Sequence, residues 1–145
     1  MYNILQSAHS GLRWLVLLAL LAAIVKAFQQ RGQNPYPGKD KAVLFGLIFT
    51  HLQIVLGLVL YFISPKVSFE GEVMANAVQR FYAVEHITGM ILAAVLITIG
   101  YSKAKRLAGQ QKGWSTIANY YLIGLIVILV SIPWPFREGL GGSWF

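Results

Sequence analysis

The chain contains no cysteine. Disulfides, zinc fingers, iron–sulfur clusters and thiol catalysis are therefore excluded by inventory. Charge is also scarce: 12% of the 145 residues are Asp, Glu, Lys or Arg, and only five of them are acidic. An ordinary soluble domain carries about 25% charged residues and roughly 45–50% apolar ones, whereas 57% of this chain is apolar. With three histidines and five acids as the whole stock of ordinary metal ligands, any metal or cofactor chemistry rests mainly on imidazole.

What the sequence has in abundance is long apolar runs. Four of them, about 4–25, 42–63, 81–101 and 117–132, are each close to the roughly 20 residues that cross a bilayer as a helix. Together they leave no room for a separate domain of usual size, so residues 1–145 read as one four-span membrane domain. The first run resembles a signal peptide in length, but its basic flank, Lys26, follows the apolar stretch, and it reads as a retained span. Gly32, Asn34, Pro35, Pro37 and Gly38 break the chain after it. Ser64-Pro65 closes the second run, and the third helix is expected to begin near Met74, outside the hydrocarbon. Trp114 and Tyr120 bound the fourth run at one end and Pro133-Trp134-Pro135-Phe136 at the other, as interfacial aromatic belts do. Short connectors make successive helices antiparallel neighbours, so the expected fold is all-α, a transmembrane up-down-up-down four-helix bundle. The tail, Arg137 to Phe145, is expected at the outer headgroup level.

The formal net charge of +7 invites a nucleic-acid reading, but the basic residues lie in connectors. Lys26, Arg31, Lys39 and Lys41 surround the first and Lys103, Lys105, Arg106 and Lys112 the third, which makes eight of the twelve. Those connectors share one side of a four-span protein, and their charge marks that side as cytoplasmic. The expectation is a bacterial inner-membrane protein with both termini periplasmic, in contact with lipid and not with nucleic acid.

Polar residues within a span are costly and so are functional candidates. Here they are His9, Arg13, His51, Glu85 and His86. His9 and His86 each lie five residues inside the outer end of their span, roughly 7–8 Å deep at the helical rise. Two imidazoles at one depth on helices one and three can face each other and supply both axial nitrogens of a haem iron. Two buried, hydrogen-bonded packing histidines are the plainer alternative. Gly89, three residues after His86, offers close helix packing and room for a flat macrocycle, two compatible roles. Arg13, one turn from His9, needs an anion, either Glu85 or a haem propionate. His51 is about 18 Å from the outer end, too deep to share that iron. It is read as a packing histidine, a ligand of a second haem, or a quinone or proton site.

The segments Gln6-Ser-Ala-His9, His51-Leu-Gln53-Ile-Val-Leu-Gly57 and Glu85-His86-Ile-Thr-Gly89 resemble one four-helix, haem-binding half of the haem A synthase family. The resemblance implies His9 and His86 as haem ligands. It implies haem binding more than synthase activity, because Gln6 stands where the catalytic half of that family has an acid. The chain also resembles small b-type cytochromes of bacterial inner membranes. The sequence-level expectation is thus an electron-transfer protein binding haem b, with a quinol or a larger respiratory complex as partner and a homodimer as one possible assembly. Two alternatives stay open: a haem-modifying or quinol-oxidising enzyme, and a cofactor-free small subunit of a larger membrane complex.

Overall fold

A computed structural model describes all residues 1–145. It is wholly helical, with α1 (Tyr2–Gln30), α2 (Lys41–Ile63), α3 (Ala77–Arg106) and α4 (Lys112–Ser131), each long and apolar enough to cross a membrane. Every helix starts before the apolar run that announced it, and α1 and α3 also run past its end. Hydropathy marks the hydrocarbon-soluble part of a helix, whereas backbone hydrogen bonding continues into the interface until a cap or breaker stops it. Asp40 caps α2 by accepting from the Val43 amide and also pairs with Lys26. Asn76 caps α3, accepting from the Val78 and Gln79 amides, so that helix starts three residues after the expected Met74.

The helices surround a shared core in the order α1, α2, α3, α4, with chain neighbours antiparallel and α4 returning against α1. Large apolar side chains cover the outside: Phe62 is 83% exposed and Val130 70% exposed, with Leu18, Leu21 and Val55 also outward. In water such a surface would aggregate; in lipid it is the expected exterior. The protein is a multi-pass membrane protein.

Lipid supplies no hydrophobic drive for one helix to join another, so close contact depends on small residues that let side chains interdigitate. The α3–α4 pair uses them most. Gly100 receives the Tyr120 side chain, Gly124 receives Ile97, and Gly89 receives Ser131. Between α1, α2 and α4, Gly46 admits both Leu20 and Tyr121, and the Tyr121 hydroxyl donates to the Val43 carbonyl at 2.8 Å. α2 and α3 pack least closely, and a gap opens between them.

The connector ends differ in construction. At one end the two basic connectors join: the Tyr36 amide donates to the Gln110 carbonyl at 3.0 Å and Gly109 donates to the Tyr36 carbonyl at 2.8 Å. Tyr36 is fully buried, edge-on to Trp114. At the other end is the tail, Arg137 to Phe145, whose carbonyls accept from Arg13, Lys66 and Tyr82. It folds back into the bundle mouth, where Gly142 passes so close to the Pro133 carbonyl that no side chain fits.

Gly100→Val should lower stability by about 1–3 kcal/mol, the cost of overpacking a closed contact. Gly11, with nothing within 4 Å of a β-carbon, should accept alanine with stability unchanged or raised by up to about 1 kcal/mol through helix propensity. Unfolding titrations in mixed micelles would compare the two.

Candidate functional site

The gap between α2 and α3 deepens into a cleft of about 1270 Å³ of empty space, counting its open mouth. Its walls come from all four helices and the tail. His9, Arg13, Gln53, Lys66 and His86 are among its polar residues, and Ile54, Leu58, Ile87 and Ile91 among its apolar ones. Three of the five sequence candidates, His9, Arg13 and His86, are brought together here.

The two histidines face each other with ring centroids 6.4 Å apart and planes at 75°. His86 Nδ1 donates to the Ser131 carbonyl at 2.7 Å. That bond commits the Nδ1 proton, leaving Nε2 as the free lone pair, the arrangement by which proteins orient an imidazole for metal ligation. Gly89 makes it possible: Ser131 sits in the space a side chain there would fill, so α3 and α4 approach closely enough for His86 to reach the carbonyl. Gly89 therefore packs against α4 and is not among the residues lining the cleft. Across the gap, the glycine beside a histidine is Gly57 on α2. A β-carbon there would lie 3.2 Å from His9 Cε1. Gln53, one turn earlier on α2, donates to the His9 carbonyl at 2.9 Å. Nε2 of both histidines has no hydrogen-bond partner and is not sealed from the cleft, whereas His9 Nδ1 is sealed and unpartnered.

His86 follows a π-helical turn, Phe81–Glu85, inside α3. Such turns insert one residue into the helical frame and recur at functional sites. The Tyr61 hydroxyl donates to the Ala83 carbonyl at 2.9 Å, bracing the turn from α2. No sequence signal marked it, since no proline or glycine lies within it.

Arg13 does not pair with Glu85. Glu85 turns outward and pairs with Arg80 at 2.7 Å. The π turn places it off the interior face, so the expected Arg13–Glu85 pair does not form. Instead Arg13 Nη2 donates to the tail carbonyls of Ser143 at 3.0 Å and Trp144 at 2.8 Å. Trp14 Nε1 donates to the same Trp144 carbonyl at 3.0 Å, and the guanidinium lies over the Trp14 and Trp134 rings.

His51 stands apart. It is on the lipid-facing side of α2, with Nδ1 donating to the Leu47 carbonyl at 2.8 Å and Nε2 3.3 Å from the Thr98 hydroxyl. Both ring nitrogens are engaged, and the ring lines a shallow groove separate from the space between His9 and His86. Its expected depth kept it from that pair, and its helical face does so as well. No three His, Asp or Glu side chains converge anywhere in the molecule.

Sequence reasoning did not single out Lys66, Ser131 or Tyr61. Gln53 and Gly57 stood in a recognised segment but had no assigned place. Arg13→Ala should free the tail, because the guanidinium holds two of its carbonyls; trypsin should then cleave after Arg137 several-fold faster, as followed by mass spectrometry. Family models, characterised proteins and solved structures were all compared with the chain, and none matches.

Proposed function

We propose that the cleft holds one haem b with His9 and His86 as its axial ligands, and that the protein carries single electrons in a bacterial inner membrane. The observation that supports this most is the separation of the two rings. A metal bound about 2 Å from each nitrogen, with each nitrogen about 1 Å from its ring centre, requires centroids roughly 6 Å apart; the value here is 6.4 Å. The planes need not be parallel, since each imidazole rotates about its own metal bond. The His86 tautomer is the ligating one, and the flanking aliphatic walls suit a flat apolar macrocycle. Two protein nitrogens are too few for a bare copper or iron site, but they are the complete protein share of a six-coordinate haem.

Ligation from both sides leaves the iron no open position, which favours electron transfer over oxygen chemistry. The basic connectors Lys26 to Lys41 and Lys103 to Lys112 favour a cytoplasmic location for their end of the bundle. The haem then lies near the periplasmic surface, where both termini emerge. A membrane quinol, or a larger respiratory complex that consumes it, is the class of donor that fits this placement.

The purified protein, expressed with ample haem, should give a sharp low-spin b-type band in its reduced-minus-oxidised spectrum and about one haem per chain by pyridine haemochrome. His9→Ala and His86→Ala should each abolish the band, while His51→Ala should retain it, with circular dichroism verifying helix content in all three. A band that survives in both of the first two variants would exclude this ligation. A colourless, iron-free preparation would favour a cofactor-free subunit of a larger complex.

A further inference from the structure

We infer that the molecule received by the cleft is an acid, and that Arg13 and Lys66 bind its carboxylates. In naming a tetrapyrrole diacid this rests on the haem reading above; in naming carboxylate chemistry it rests on the cleft alone. The lining includes two permanent cations, Arg13 and Lys66, and no Asp or Glu. Of the five acids in the chain, Asp40 pairs with Lys26 and Glu85 with Arg80. Glu70, Glu72 and Glu138 are exposed outside the cleft.

Arg13 is the sharper case. It is only 8% exposed, its Nε is buried without a partner, and its Nη2 donates to neutral carbonyls. Carbonyl dipoles satisfy hydrogen bonds but do not neutralise a charge, and a guanidinium held among apolar groups is expensive without a counter-anion. Lys66 is the half-buried partner at the rim. Its Nζ donates to the Gly141 carbonyl at 2.9 Å and lies 5.1 Å from the centre of the Tyr82 ring.

Both cations hold the same stretch of tail, Gly141 to Trp144, and part of that stretch forms a wall of the cleft. One wall is thus cationic and hydrogen-bonding, while Ile54, Leu58, Ile87 and Ile91 make others apolar. This polarity fits a ligand with a flat or extended apolar body and carboxylates along one edge. Haem b, with two propionates on one side of an apolar ring, has that form; a fatty acid is the other source of the same chemistry.

The test titrates haem b and haem b dimethyl ester into the full-length apoprotein in mixed micelles, followed by absorbance. The ester should bind at least about tenfold more weakly than the acid. Lys66→Gln and Arg13→Gln should each lower affinity for the acid toward that of the ester and leave the ester unaffected. Lys66→Gln decides the matter if loss of Arg13 disorders the tail. Equal binding of acid and ester, or equal weakening of both by the variants, would overturn the inference and leave the haem reading standing. If neither porphyrin binds, the haem reading falls. Thermal unfolding with oleate against methyl oleate then decides the carboxylate inference: stabilisation by oleate alone, lost in Lys66→Gln, upholds it, and identical effects of the two overturn it.

Discussion

Inside a hydrocarbon layer a polar group has no water to fall back on, so it must find its partner within the protein. That requirement explains most of the contacts around the cleft. Gln53 reaches across to the His9 carbonyl, Tyr61 to the Ala83 carbonyl released by the π turn, and His86 to Ser131. Thr50 satisfies itself by donating to the Gly46 carbonyl one turn back. The tail is drawn into the bundle mouth for the same reason, because Arg13, Trp14, Lys66 and Tyr82 all need acceptors and find them in its carbonyls. A segment with no secondary structure is thereby fixed by donors from two helices, α1 and α3, and a connector.

The second constraint is packing asymmetry. Glycines along α3 and α4 bring those helices into close contact, which anchors His86 against α4. α2 and α3 have no comparable seam, and the gap between them is the cleft. Gly57 serves a different purpose from Gly89: it makes room for the His9 ring itself. The two histidines thus approach each other from differently built sides, one held by a carbonyl and the other confined by a neighbouring helix.

Helix number, order and the equal depth of His9 and His86 were legible in the sequence because they depend only on run length and a constant rise per residue. The meeting of the two basic connectors at one end followed from four antiparallel spans in the same way. What could not be read depends on rotation and on contacts distant along the chain. Met74 gave way to Ala77 as the start of α3 because the Asn76 side-chain cap, not hydropathy, sets where the helix begins. Glu85 turns away from Arg13 because the π turn alters the frame just before His86. His51 has the depth of an interior residue but lies on the lipid-facing side, and apolar neighbours on every side of α2 gave its orientation no signal. The bonds from Arg13 to Ser143 and Trp144 span 130 and 131 residues, so no local pattern could foretell them.

Unpartnered polar groups set the energetic cost of this polar interior. Three of the five buried side-chain polar atoms without a hydrogen bond belong to cleft residues: His9 Nδ1, Arg13 Nε and Gln53 Oε1. An unmet buried group costs on the order of 1–3 kcal/mol, and more when it is charged, so together they consume a large share of the ~5–15 kcal/mol that stabilises a typical domain. A bundle selected only to pack against other helices would close this gap, as glycines let α3 and α4 close theirs. Two imidazoles and two cations around the cleft are the polarity on which the proposed ligand rests. Because such a ligand stabilises the folded chain by mass action, occupancy and folding are expected to be coupled, with the apoprotein the less stable form.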